Sequence, residues 1–166
     1  MRCVAVGPTT AKVMLVGEAP GAVEEQTGVP FTGGAGKILD AALRSAGLRR
    51  SSLYITNIMQ VRPEGNDFKK FYIKGAPSPE LQDGIARLRK EILKVKPNVV
   101  VALGNEPLKA IVGLEGITKW RGSVLRCGLE GWEFKVIPAY HPAAVMRNWK
   151  WFPILVLDLK KVVREQ

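Results

Sequence analysis

Asn98–Leu103 reads NVVVAL, with Pro97 before it and Gly104 after it. An apolar run this short, bounded by two chain breakers, predicts a strand with no face left for water. Strands of that kind lie in the middle of parallel sheets, covered by helices on both sides. Upstream, Lys12–Gly17 (KVMLVG) has the same character, and Leu53–Ile58 (LYITNI) is a second β-rich run. Downstream, Ser123–Arg126 and Glu133–Pro138 supply two further strands. Helical spacing fills the gaps. Ala35–Ala46 places Ile38, Leu39, Ala42, Leu43 and Ala46 on one face, and Gly47 stops it. Ser78–Pro79–Glu80 has the cap, first-position proline and first-turn acid of a helix start; that helix should run to about Lys96, where Pro97 ends it. A short helix is expected near Glu106–Val112 and a closing amphipathic one over Pro153–Val163. Gly17–Gly34 and Gln60–Pro77 are expected to be loops.

The alternation predicts one α/β domain over residues 1–166, a three-layer sandwich with a central, mainly parallel sheet flanked by helices. In such folds ligands bind at the carboxyl ends of the strands. The loops after Gly17, Ile58, Gly104 and Pro138 therefore form the candidate site.

Composition narrows the function. At 46% hydrophobic and 24% charged the chain is ordinary for a globular protein. No apolar run approaches the roughly 20 residues of a membrane helix, and Met1–Arg2–Cys3 does not open a secretory signal, so an intracellular, cytoplasmic protein with no membrane partner is expected. Two cysteines, Cys3 and Cys127, exclude a disulfide framework and leave a single bridge open. The net charge of +10 is uneven: residues 1–83 hold ten basic and eight acidic side chains, residues 84–166 fifteen and seven. A basic surface of this kind points to a polyanion, nucleic acid first.

The glycine-rich loop after the first strand invites a nucleotide-binding reading, which fails in detail. A dinucleotide fingerprint requires G-x-G-x-x-G, and position 19 is Ala. A P-loop requires G-x-x-x-x-G-K-[ST]; here Ile38 follows Gly36–Lys37, and position 31 is Phe. What the strand-end loops do carry is a carboxylate (Glu18, with Glu24 and Glu25 nearby), an aromatic ring (Phe31), an amide (Asn57) and the only imidazole (His141). Each alone reads more readily as a turn, core or cap residue. Together at the expected ligand edge they read as a site.

These residues stand in segments that resemble the uracil-DNA glycosylase superfamily, closest to its family 4 type: GEAPGAVEEQTGVPFTGGAGKILD (Gly17–Asp40), YITNIMQVRP (Tyr54–Pro63), VVALG (Val100–Gly104), Arg121–Gly122 and YHPAAVMRN (Tyr140–Asn148). The resemblance implies a DNA-repair hydrolase that flips deoxyuridine out of uracil-containing DNA, cuts its N-glycosidic bond and leaves an abasic site. It implies that Glu18 and Ala19 line the water and sugar side, that Phe31 stacks on the base, that Asn57 reads the uracil edge and that His141 donates to the base oxygen O2. It implies that Pro142–Arg147 is a minor-groove loop and that Glu24 is an acid near the pocket. In some other branches an Asp stands at the position of Ala19 and activates water; here Glu18, Glu24 or backbone placement of the water remain open for that task.

The chain departs from the family at the iron–sulfur cluster. Val61, preceded by Gln60, stands where a cysteine is expected, and another is missing near Gly84. A cluster takes about four thiolates, so no cluster and no metal are expected. For DNA, Gly33 and Gly36 let backbone amides approach a phosphate at the start of the Lys37 helix, while Met146 and Arg147 combine an apolar wedge with charge. A monomer is expected. The competing readings are a glycosylase for another deaminated base such as hypoxanthine, a uracil- or damage-binding homologue that does not cut, and a basic α/β domain that binds a protein.

Overall fold

A computed structural model describes residues Met1–Gln166. In chain order the elements are β1 (Val13–Gly17), α1 (Ala22–Thr27), α2 (Gly34–Ala46), β2 (Tyr54–Asn57), a minimal hairpin of β3 (Tyr72–Ile73) and β4 (Ala76–Pro77), α3 (Pro79–Val95), β5 (Val99–Leu103), α4 (Asn105–Val112), α5 (Ile117–Trp120), β6 (Leu125–Leu129), β7 (Trp132–Ala139), α6 (Pro142–Arg147) and α7 (Phe152–Glu165). The main sheet has the order β2-β1-β5-β7-β6. Its first four strands are parallel, and β6 closes the far edge antiparallel to β7.

The expected strand Asn98–Leu103 is the central one. Val99 to Leu103 are all buried, and their side chains alternate between two cores as the pleat requires. Val13, Leu15, Val99, Val101 and Ile137 face α2 and α7, where Leu39, Leu43, Leu155 and Leu159 cover them. Met14, Val16, Val100, Ala102 and Val136 face the opposite way, against Leu88, Ile92 and Leu108 of α3 and α4. The three-layer α/β architecture is the one the alternation predicts.

Helix α5 was not expected and β6 runs two to three residues later than expected; three further segments differ from the sequence expectation. The loop Gly17–Gly34 contains α1, a short helix started by Glu24, whose carboxylate reaches back to the Gly21 amide. Pro142–Arg147, expected as a loop, is helix α6: Pro142 supplies a preset first position and His141 caps it through its own side chain. Gln60–Pro77 folds back as the β3–β4 hairpin beside a small aromatic cluster of Phe68, Phe71 and Tyr72. All three depend on side-chain bonds or packing that hydrophobic periodicity does not register.

The edge strand β2 is covered by the N-terminal segment, where Val6 pairs with Ile55 and the Cys3 amide donates to the Gln60 carbonyl at 2.8 Å. On the other side, the fully buried Asp158 of α7 accepts two hydrogen bonds from Arg121, at 2.8 and 2.6 Å, and Lys161 donates to the Gly122 carbonyl at 2.9 Å. The Arg121–Gly122 pair thus ties α7 to the loop before β6. Cys3 and Cys127 are both free thiols, one beside β2 and one on β6, at opposite edges of the sheet. The bridge that the cysteine count leaves open is absent.

Candidate active site

β1, β2, β5 and β7 run parallel, so their carboxyl ends share one edge, and a cavity of about 620 Å³ opens there. Glu18 and Ala19 follow β1, Asn57 ends β2, Gly104 follows β5, and Tyr140 and His141 follow β7. Phe31 and Glu24 reach in from the long first loop, Met146 and Arg147 from α6. The cavity therefore brings together eight of the sequence-predicted site residues: Glu18, Ala19, Glu24, Phe31, Asn57, His141, Met146 and Arg147.

Gly17, the last residue of β1, makes the convergence feasible. A Cβ there would lie 2.6 Å from Phe31 Cζ and would overlap Asn57 Oδ1. Only a hydrogen at that position lets the ring, carried by the long first loop, and the amide at the end of β2 approach each other. Phe31 itself is held in the left-handed region at φ 53, a conformation that L-residues adopt at a cost. Arg50 holds it: the guanidinium donates to the carbonyls of Phe31 (2.9 Å) and Pro30 (2.7 Å) and to Asp40 (2.8 Å). Gly36 lies so close beneath the Phe31 carbonyl that no larger residue fits. Gly17 and Arg50 were missed in the sequence. Their importance lies in distances between strands and loops, and no local pattern encodes those.

The His141 ring is the best-defined polar group. Its Nδ1 accepts from the Ala143 amide at 3.0 Å. Burial, reinforced by the Arg147 charge and opposed by Glu24, lowers its pKa to about 4. The imidazole is therefore neutral at physiological pH, and the hydrogen bond to Nδ1 places its one proton on Nε2. The ring sits 5.7 Å from the Phe31 ring, tilted by 36°. A neutral N–H donor thus stands beside an aromatic wall.

The two acids differ. Glu24 is occupied: its carboxylate accepts from the amides of Gly21 (3.1 Å), Thr32 (2.9 Å) and Gly33 (2.6 Å), which organises the loop that carries Phe31. Glu18 packs beside Gly104 and His141 with no such amide partners. Burial pushes its pKa up to about 7, helped by the Glu106 carboxylate and opposed by Arg147. A carboxyl poised near neutrality is suited to proton transfer.

Gly33, Gly36 and Lys37 do not line the cavity; the Gly33 amide is already taken by Glu24, whereas the first-turn amides of α2, from Gly34 to Gly36, lack intrahelical partners. Lys37 is exposed on the same turn. Met146 is 53% exposed and touches the Gly34 position, and Trp149 is 58% exposed, stacked at 4.6 Å on Phe152. Trp151 instead stacks on Tyr140 at 4.2 Å and lines the cavity wall.

Residues 4–161 match the family described as the Uracil DNA glycosylase superfamily. The chain belongs to this superfamily. It is 38% identical to a type-4 uracil-DNA glycosylase of Archaeoglobus fulgidus, over 95% of this chain and 78% of that one. It is 38% identical to the type-4 enzyme of Thermotoga maritima, over 86% of this chain and 70% of that one, and 32% identical to that of Saccharolobus solfataricus, over 94% and 72%.

For this member the iron–sulfur cluster that the family resemblance implies does not fit the residues present. Val61 and Gly84 offer no thiolate, Cys3 and Cys127 lie at opposite sheet edges, and no three His, Cys, Asp or Glu side chains are grouped to hold a metal ion. Burial, with the Glu24 charge nearby, pushes the Cys3 thiol up to about 11, so it stands as a neutral thiol. No helix is long and apolar enough to cross a membrane.

Proposed function

We propose that this protein is a monofunctional uracil-DNA glycosylase of base excision repair. It hydrolyses the N-glycosidic bond of deoxyuridine in DNA, working as a monomer inside the cell, without an iron–sulfur cluster. The observation that carries the reading is the cavity wall built from Phe31, Asn57 and a neutral, Nε2-protonated His141. The relatives' names support it.

The chemistry follows from that wall. Bond cleavage places negative charge on the departing base and positive charge on the sugar. His141 Nε2–H donates to the base oxygen O2 as charge develops there, and it stays neutral throughout; a donor of this kind contributes about 10²–10³ in rate. Asn57 offers a donor and an acceptor, matching O4 and N3–H of uracil, whereas cytosine presents the opposite polarity and would leave buried polar groups unpaired. Phe31 stacks on the extruded base, which is worth about 1–3 kcal/mol and offsets part of the extrusion cost. Glu18 positions or deprotonates the attacking water beside Ala19, because Glu24 is committed to backbone amides. A base of this kind adds about 10²–10⁴. The free amides of α2, Lys37 and Arg147 take the DNA phosphates, and Met146 enters the minor groove.

The test uses end-labelled duplexes carrying uracil, hypoxanthine, thymine or cytosine, followed by alkali. Strand scission is expected at uracil alone. Loss of scission in Asn57→Ala and in His141→Ala, with DNA binding retained, is also expected. Salt-sensitive binding without scission would assign the chain to the non-cutting readers, and scission unchanged in both variants would remove the assignment of the pocket.

A further inference from the structure

Asn57 sits at the very end of β2, where the chain leaves the sheet and backbone carbonyls lose their strand partners. Behind it, on the face away from the cavity, lies α3. One amino group of Arg87 donates to the carbonyls of both Asn57 (2.7 Å) and Ile58 (2.6 Å). Its other amino group is ion-paired with Glu91, one turn further along the helix. Glu91 in turn accepts from Tyr54 Oη at 2.8 Å and Thr56 Oγ1 at 3.1 Å. A single Arg–Glu pair on α3 therefore grips β2 at residues 54, 56 and 57 and the chain just beyond it at Ile58. Tyr54 and Thr56 point toward the helix, and Asn57, the residue between Thr56 and Ile58, presents its amide to the cavity.

The helix comes this close because Gly84, one turn before Arg87, has no side chain. A Cβ there would lie 2.7 Å from both the Ile58 carbonyl oxygen and Met59 Sδ. Gly84, Val61 and Arg87 border one small cavity of about 180 Å³. Two of these three, Val61 and Gly84, mark the places where the family resemblance leads one to expect cluster ligands.

We propose that Arg87 is a positioning residue for Asn57: by fixing the peptide that follows it, the guanidinium sets the direction in which the amide meets the base, a task done in this chain by an arginine–glutamate clamp and not by a metal cluster. The proposal rests on the uracil-excision reading above for its catalytic consequence. Its structural content is independent of that reading. An arginine is needed because only a planar fork reaches two carbonyls and a carboxylate together. Misplacement of a reading group by about 1 Å is enough to cost up to 10²-fold in rate.

The experiment compares Arg87→Met, Arg87→Lys and Val95→Ala, the last a core truncation at the far end of α3. Two quantities are read in each: kcat and KM for uracil excision, and amide hydrogen exchange at Ile58 and Met59, whose N–H groups donate to the carbonyls of Gly17 and Glu18 at 3.0 Å. Arg87→Met is expected to lower kcat about tenfold with KM changed less than about twofold, and to speed exchange at both amides by a similar factor. Arg87→Lys is expected to recover part of both, and it serves as the reading variant if Arg87→Met does not fold. Val95→Ala is expected to lower the melting temperature while leaving kcat and these two amides unchanged. Unchanged kcat and exchange in the Arg87 variants, or the same kcat loss in Val95→Ala, would overturn the proposal. If the wild-type protein excises no uracil, the functional reading falls, and the exchange at Ile58 and Met59 still decides whether Arg87 holds the segment.

Discussion

Replacing Glu18 by Gln should stabilise this protein by an amount that grows as the pH rises from 4.5 to 7 and is negligible below that range. The folded carboxyl titrates near 7, against an ordinary value of 4.5, because it is buried, faces Glu106 and is only partly relieved by Arg147. Below pH 4.5 the group is protonated in both folded and unfolded chains and carries no penalty. Between 4.5 and 7 the unfolded chain releases the proton while the folded chain keeps it, so stability falls as pH rises. Above 7 the loss levels off. A shift of this size corresponds to about 3 kcal/mol at 1.36 kcal/mol per pH unit. Glu18→Gln keeps the shape and cannot ionise, so it should gain up to about 3 kcal/mol at pH 8 and almost nothing at pH 4. For a chain of this size that is roughly 6–12 °C in melting temperature. Thermal unfolding followed by circular dichroism from pH 4 to 8.5 measures the difference directly. Glu106→Gln provides an internal check, because removing that carboxylate should move the wild-type transition to lower pH. A Glu18→Gln effect that does not vary with pH, or one that is destabilising at pH 8, would refute the reasoning. The same titration should appear in catalysis: excision should rise through about pH 7 as Glu18 ionises, and His141, neutral above about pH 4, should contribute no second inflection there.

Gly17→Ala should abolish activity by more than about 10²-fold while the protein remains folded, since its methyl would enter the space between Asn57 and Phe31; near-wild-type excision would show that the two need not lie so close. Asp158→Asn should cost about 3 kcal/mol or more in urea unfolding, because it leaves Arg121 beside a buried amide; a loss below about 1 kcal/mol would remove the staple role given to Arg121–Gly122. Charge removal at Lys37 and Arg147 together, by Gln at both, should make the dependence of log K on log salt for duplex DNA shallower by about 2, with little change in melting temperature. An unchanged slope would place the DNA elsewhere.

How much of this was legible beforehand differs from element to element. The central strand, α2 and α3 could be read directly, because an unbroken apolar run, an i, i+3, i+4 stripe and a Ser-Pro-Glu start are local signals with local causes. The α/β architecture and the edge at which the cavity opens followed, since parallel strands must return through crossovers and so leave all their carboxyl ends on one side. Residue types identified Phe31, Asn57 and His141 as chemistry-bearing, and family resemblance attached roles to them. The short helices α1 and α6 were not legible, because each is started by a side chain, Glu24 or His141, that would be equally at home in a loop.

The amino-acid sequence by itself determined which groups this protein has to work with: one imidazole, one amide at a strand end, an aromatic in a glycine-rich loop, a surplus of positive charge and too few thiols for a cluster. Tertiary structure alone decided the state of those groups. It made His141 a neutral donor by burying it and occupying Nδ1, engaged the Glu24 carboxylate with three backbone amides, and lifted Glu18 toward neutrality beside Glu106. Protonation and direction depend on electrostatic fields and contacts from residues far apart in the chain, and these exist only once the strands have brought them to one edge.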